Sequence, residues 1–390
     1  MTDLSRLGPF KFRLTPKPPA THNHAMKIAF YAPLKSPNHP VPSGDRLMAR
    51  LLMQAMTMGG HEVSVASELR SFLKQPDEPA RTSLAETAER EIETITRRWQ
   101  LEGAPDLWFC YHPYYKALDL LGPELARRFD IPYVTAEASY SPKRNGMGWQ
   151  VVQDRLLAAL NAASINICLT ARDREGLVRA SPALRWAMLP PFIDAEAFLK
   201  NTPNPTPAKL IAVAMMRAGD KLDSYRALAE ALALLPQDIN WTLDIVGDGP
   251  ERAAVQAMFS AFPDQRLVWH GEKTASEIAM LLSKASLYVW PGHGEAYGLA
   301  YLEAQAAGLP VVAEKVAGVP EVVKSGTTGL LTPENDTAAY ADAIKTLIGD
   351  DNRREELARA ARQFVRNERS LENAAKELNH ILLQAKARRS

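Results

Sequence analysis

The chain has 390 residues, 46% of them hydrophobic and 23% charged, with a formal net charge of +1. Those values suit two ordinary globular domains and leave no basic surplus for a nucleic-acid partner. Only Cys110 and Cys168 occur, without metal-type spacing, and no apolar run has the length of a membrane span or a signal peptide, so a reduced, cytoplasmic setting is expected.

Residues 1–25 stand apart. Arg6, Lys11, Arg13 and Lys17 face Asp3 alone, and four prolines interrupt the segment. The plain reading is a disordered basic leader. A sharper one is peripheral contact with an anionic membrane through Phe10 and Phe12, but the segment is short and broken by proline. From Met26 to Leu34 the run MKIAFYAPL has the apolar density of a buried parallel strand. A loop with Ser43-Gly44-Asp45 follows, then a helix whose apolar positions are Leu47, Leu51, Leu52, Ala55 and Met58, then a strand over Gly60–Ser67. This βαβ opening predicts a doubly wound α/β domain. Residues 68–104 read as helical and charged. Strands are expected at Asp106–His112, Ile131–Glu137 and Ile165–Thr170, with a helix around 116–129.

The proline-rich TPNPTP at 202–207 marks a boundary region. Lys209–Met216 then opens a second domain as a strand, with a helix at about 222–235 and a strand over Trp241–Gly247. Ser286–Trp290 is a further strand, and behind it lies the most informative stretch, HGEAYGLAYLEAQAAGLPVV (His293–Val312). It places Glu295 in a loop and Glu303 in the second turn of a helix over 298–307, which starts at Gly298 and ends before Gly308, a suitable C′ glycine. Strand, glycine loop and helix in that order set backbone donors against an anion, so Gly298 and Leu299 are candidates for a phosphate. The Gly44 loop can do the same from the first domain, since glycine lets backbone approach a ligand closely. Arg217 and Lys221 add cations, one a planar fork and the other a point charge. The last helix begins near Ser370 and carries Leu371, Ala374, Leu378, Ile381 and Leu382 at helical spacing.

Glu295 and Glu303, with an aromatic-Gly pair after the first, resemble the signature of the retaining glycosyltransferases of family four, the glycosyl transferases group 1. IVGDGPER (Ile245–Arg252), VWHGEK (Val268–Lys273), VAGVPEVVKSGTTGLLTP (Val316–Pro333) and PPFIDAEAF (Pro190–Phe198) resemble further segments of that family. The likeness covers most of residues 26–385 and is strongest in the C-terminal half. It implies the GT-B architecture: an acceptor-side Rossmann-like domain over 26–190, a nucleotide-sugar domain over 191–369, and a final helix over 370–390 packing back on the first domain. It also implies roles. Arg217 and Lys221 would hold the donor diphosphate, Glu303 the ribose hydroxyls and Glu295 the donor sugar. The backbone of Glu272 and Lys273, after His270-Gly271, would recognise the base.

Two departures stand out. The Arg217–Lys221 spacing is one residue shorter than the family pattern. Glu137 occupies the strand end where the family commonly has a histidine near the reacting centre, and His112, one strand earlier, is the nearest histidine. His293 reads as a cleft-lining or solvated loop histidine, whereas His39 and His61 suggest no role.

No paired-Asp or His/Cys motif suggests a metal, no G-x-S-x-G an elbow serine, and no GxGxxG a nicotinamide enzyme. The sequence is therefore read as a metal-independent glycosyltransferase moving a sugar from a nucleotide-diphosphate donor to a sugar, lipid-linked or other hydroxyl acceptor, with retention implied by the resemblance. The acceptor would lie near His112, Glu137 and Lys143-Arg144. The rivals are a nucleotide-sugar epimerase or hydrolase on the same scaffold, and a noncatalytic sugar-nucleotide-binding protein.

Overall fold

The computed structural model describes residues 25–41 and 43–387. The basic leader with Phe10 and Phe12 thus lies outside the described residues, except for Ala25. The first unit runs β1 (Lys27–Tyr31), α1 (Gly44–Met58), β2 (Glu62–Val65), α2 (Glu78–Glu102), β3 (Leu107–Tyr111), α3 (Gly122–Arg128) and β4 (Tyr133–Ala136). It continues with α4 (Gln150–Ala162), β5 (Ile165–Cys168), α5 (Ala171–Ala180) and β6 (Trp186–Met188). The second unit holds α6 (Glu196–Lys200), β7 (Lys209–Val213), α7 (Asp220–Ala233), β8 (Thr242–Val246), α8 (Arg252–Met258), β9 (Leu267–Gly271) and α9 (Ala275–Leu282). After them come β10 (Leu287–Val289), α10 (Leu299–Ala306), β11 (Val311–Glu314), α11 (Val319–Val322), β12 (Gly329–Thr332), α12 (Thr337–Gly349) and α13 (Asp351–Phe364). The long helix α14 (Leu371–Ala387) ends the described chain.

Each unit is a six-stranded sheet, ordered β2-β1-β3-β4-β5-β6 in the first and β12-β11-β10-β7-β8-β9 in the second. Every strand pair is parallel. Parallel sheets covered by helices are buried on both faces, and β3 shows it, with all five residues LWFCY buried. The strand order reverses between β1 and β3 in one sheet and between β7 and β10 in the other. Those are the places where an open α/β sheet leaves a crevice beyond its strand ends.

Several local expectations needed correction. The stripe of α1 that enters the core is Met48, Ala49, Leu51, Leu52, Ala55 and Met56, while Leu47 (41%) and Met58 (50%) stay exposed. The helix expected around 116–129 forms only as α3. Upstream of it the buried Asp119 carboxylate accepts from the Trp108 indole (2.8 Å) and from the backbone of Leu121 (3.0 Å) and Gly122 (2.7 Å). A side chain that captures three donors competes with continuous helix at that point. Residues 68–77 are likewise not helical, and Phe72 forms a β-bridge with Ala117.

The two crossings between the units run side by side, Ile193 donating to the Arg369 carbonyl at 3.0 Å. Beyond the second crossing, α14 buries Leu371, Ala374, Leu378, Ile381 and Leu382 and packs along α1 of the first unit. His61 accepts from the Met26 backbone through Nδ1 (3.3 Å) and meets Asn379 Oδ1 of α14 through Nε2 (3.0 Å). His61 therefore has a structural part, as a tie between the first sheet and the last helix. Among the described residues no helix is long and apolar enough to cross a membrane.

Candidate active site

At the switch point of the second sheet, β7 ends before Arg217 and Lys221, and β10 ends before Glu295. Gly219 caps α7 (Asp220–Ala233), so Lys221 lies in that helix's first turn. Its ammonium pairs with Glu295 Oε1 and stands 5.5 Å from the centre of the Trp290 ring. The Trp290 indole donates to the same Glu295 oxygen at 3.2 Å. Arg217 is exposed and makes no hydrogen bond or ion pair among the described residues. Lys221 and Glu295, expected on separate parts of a ligand, are thus partners here, and Arg217 is the unengaged cation.

Gly298 caps α10 with φ +75, a left-handed conformation that L side chains rarely adopt, and a Cβ there would meet the Tyr301 ring at 2.6 Å. Leu299 starts α10 just beyond the end of β10, where the leading N–H groups of a helix have no carbonyl partner of their own within it, although the Tyr301 N–H already donates to the Gly298 carbonyl (3.2 Å). Gly318 has a different constraint. A Cβ on it would lie 1.9 Å from the Ala296 carbonyl oxygen, so only glycine lets this loop close on the Glu295 loop. Glu303 sits in the second turn of α10, partly exposed, and burial of its carboxyl pushes its pKa up to about 7. His293 does not project as a free ring: its Nε2 is 3.2 Å from the buried Glu314 carboxylate.

Gly271 ends β9 and accepts from the Gly247 N–H at 2.8 Å, with Glu272 exposed beyond it. Lys273 approaches Glu277 at 3.5 Å. The turn runs straight into α9, where Thr274 and Glu277 form a complete capping box. Thr274→Ala removes the side-chain acceptor for the Glu277 N–H and is expected to cost about 1 kcal/mol. In a thermal melt this should appear as a midpoint lowered by roughly 2–4 °C.

The first sheet repeats the pattern at its own switch point. Ser43 accepts from Arg46 N at 3.2 Å to start α1 just before Gly44. Asp45 in that turn meets His112 Nδ1, at the end of β3, at 3.0 Å. Burial works against the charge on both groups. Their mutual hydrogen bond outweighs it, holding Asp45 below the usual carboxylate range and His112 above the usual imidazole range. Lys35, in the same β1–α1 connection, is lowered by burial and by the neighbouring Arg217, Arg46 and Arg70 guanidinium groups, against the pull of Asp45. Arg217 of the second unit thus acts on the charge of Lys35 in the first.

Glu137 ends β4 and is buried (8% exposed). One oxygen, Oε2, accepts from Tyr111 OH at 2.8 Å and from Tyr297 OH of the second unit at 3.2 Å. Burial raises its pKa, with Asp173 and Asp45 adding to the shift and His112 opposing it. His112 (φ 57) and Glu137 (φ 55) are both non-glycine residues in the left-handed region. Such strain costs of order 1–2 kcal/mol each and clusters at working sites. Sequence reasoning found Glu137 and His112 but not Asp45 as a partner, nor Tyr111, Tyr297 or Asp173. The hydroxyl on the aromatic residue of the signature was the one visible signal for Tyr297.

Two Rossmann-like units, each with a charged pair at its switch point and tied together by the Tyr297–Glu137 hydrogen bond, make up the GT-B architecture. The chain is a glycosyltransferase by its likeness to known ones, and its residues 200–364 match the family model described as Glycosyl transferases group 1. It is 28% identical over 314 residues to the D-inositol 3-phosphate glycosyltransferase of Xylanimonas cellulosilytica, spanning 72% of this chain and 73% of that one. It is 28% identical to the glycogen synthase of Mycobacterium tuberculosis, over 72% of this chain and 67% of the relative. Among solved structures, sucrose-phosphate synthase from Thermosynechococcus elongatus superposes with a TM-score of 0.68 at 21% identity, covering 93% of this chain and 100% of the other. Anabaena HepE in complex with UDP gives a TM-score of 0.69 at 17% identity, over 92% of this chain and all of that one.

Proposed function

We propose that the donor is a sugar nucleoside diphosphate bound to the second domain and that the sugar passes, with retention, to a hydroxyl of an acceptor lying against the first. The observation that carries this reading is the switch point of the second sheet. There Arg217 and Lys221 follow the end of β7, Glu295, the start of α10 and Glu303 follow the end of β10, and the Lys221–Glu295 pair joins the two segments. Arg217, Lys221 and the N–H groups of Gly298 and Leu299 neutralise the departing diphosphate. Glu303 accepts from the ribose hydroxyls and Glu295 contacts the donor sugar, while the backbone of Gly271, Glu272 and Lys273 meets the base. Front-face attack fits this arrangement: the acceptor oxygen bonds to the anomeric carbon as the carbon–phosphate oxygen bond breaks. The acceptor proton passes to the leaving diphosphate. These cations and N–H dipoles supply charge stabilisation to the departing diphosphate.

The UDP complex of HepE, on the same fold, supports a nucleotide donor. The acceptor sits on the wall formed by Gly44, His112 and Glu137, with Lys143 and Arg144 on its edge. That basic edge suits a lipid-linked or anionic acceptor presented from a membrane surface to a cytoplasmic enzyme. Calorimetric titration of UDP, GDP and ADP tests the donor site. Binding of one of the three at micromolar strength names the donor class. Binding of none leaves the fold without a working donor site and brings a noncatalytic binding protein forward.

A further inference from the structure

Glu137 belongs to the first domain, yet one of its two hydrogen-bond donors comes from the second. Tyr297 lies between Glu295 and Gly298, inside the loop that carries the donor-side carboxylate into α10. Its ring is buried (7% exposed), and its hydroxyl crosses the domain boundary to Glu137 Oε2. Tyr111 donates to the same oxygen from beneath. The other oxygen, Oε1, accepts no hydrogen bond among the described residues and is not sealed away as a buried orphan. Alongside, His112 is anchored through Nδ1 by Asp45, so that its Nε2 also lacks a partner among the described residues. Two tyrosines thus hold one carboxylate oxygen and leave its twin for an incoming hydroxyl.

We propose that Tyr297 is a positioning residue which, from the donor loop of one domain, fixes the Glu137 carboxylate of the other, so that Glu137 Oε1 accepts a hydrogen bond from the acceptor hydroxyl only when the two domains are together. The role rests on the glycosyltransferase reading above and extends it. A closed cleft then does two things at once: it completes the donor site and orients the nucleophile. An open cleft leaves Glu137 with Tyr111 alone, and a water molecule entering there meets a less constrained carboxylate. Hydrogen bonding to the nucleophile is all that is asked of Glu137, because the proton leaves on the diphosphate.

The charged and titratable groups around this carboxylate are Tyr111, Asp45, His112 and Asp173 from the first domain and Tyr297 from the second. A hydrogen bond donated to a carboxylate favours its ionised form, so losing one raises the pKa. The test is a carbon-13 titration of the glutamate side-chain carboxyls in the full chain, with the Glu137 signal assigned by its absence in Glu137→Gln. Tyr297→Phe is expected to move the Glu137 midpoint upward by roughly one pH unit, the scale of one charge-assisted hydrogen bond. Nucleotide affinity should stay within about twofold, which shows that the donor loop is still folded.

Release of nucleotide from the bound donor, followed across pH, is the second readout. Its acid limb should move upward in Tyr297→Phe together with the carboxyl midpoint. In Glu137→Gln the limb should vanish and the rate fall by about tenfold or more. An unmoved Glu137 midpoint in Tyr297→Phe overturns the proposal, as does a Glu137→Gln enzyme that turns over like the parent. Failure of the parent to bind any nucleotide is a different result. It removes the donor reading, while the carboxyl titration still decides whether Tyr297 holds Glu137.

Discussion

Arg217→Ala is expected to lower kcat/KM for the sugar-nucleotide donor by about 10²–10³, or about 2.7–4 kcal/mol, the scale seen when one preorganised donor to a developing negative charge is removed. The guanidinium is exposed and makes no hydrogen bond or ion pair among the described residues, so its removal breaks none of the contacts that hold them together. Thermal unfolding should therefore stay within about 0.5 kcal/mol of the parent. Arg217→Lys should recover only part of the loss, since an ammonium cannot fork two phosphate oxygens. Lys221→Ala provides a contrast. Lys221 is already paired with Glu295, so its loss also frees that carboxylate beside the arriving diphosphate. The two substitutions should combine non-additively in a double-mutant cycle, because both act on the same charge. Equal losses of activity and stability in Arg217→Ala would instead make the residue a part of the scaffold.

The parallel sheets were legible in the sequence because strands buried on both faces read as short apolar runs, as Leu107–Tyr111 and Leu287–Val289 do. The order Glu295, Gly298, Glu303 was legible for the same kind of reason: a loop, a cap and a second helical turn are local geometry. What stayed hidden were partnerships between distant residues. Nothing local says that Lys221 meets Glu295, that Asp45 meets His112, or that Tyr297 reaches across to Glu137. The helix expected around 116–129 failed on a tertiary contact too. Leu118, Leu120 and Leu121 resemble a helical stripe, but Asp119 turns inward to the Trp108 indole and takes the neighbouring N–H groups with it. The edges of the α1 stripe slipped because the sheet and α14 select one face, which hydrophobicity alone leaves open by a residue or two.

Glu303→Ala is expected to weaken nucleotide binding by about ten- to more than a hundredfold, the 1.5–3 kcal/mol typical of hydrogen bonds to a charged group. The parent should also show a pH dependence that the variant lacks. Burial pushes the Glu303 pKa up to about 7 in the folded protein, above its value in an unfolded chain. Without ligand, the contribution of this group to stability is therefore fully present below the unfolded pKa and is lost as pH rises through about 7. Nucleotide reverses the preference, because ribose hydroxyls donate to the ionised form. Affinity should rise with pH and level off above about 7, with a limiting slope of about tenfold per pH unit below it. The nucleotide's own terminal phosphate titrates in the same region, so the informative quantity is the difference between parent and Glu303→Gln. Glutamine keeps the shape and one acceptor but cannot change charge, and its curve should show only the phosphate component. Calorimetry on the two proteins between pH 6 and 8 (bracketing the value of about 7) decides the matter. Parallel curves would mean that Glu303 does not meet the ribose, whereas convergence at low pH and divergence at high pH would place an ionised Glu303 on the nucleotide.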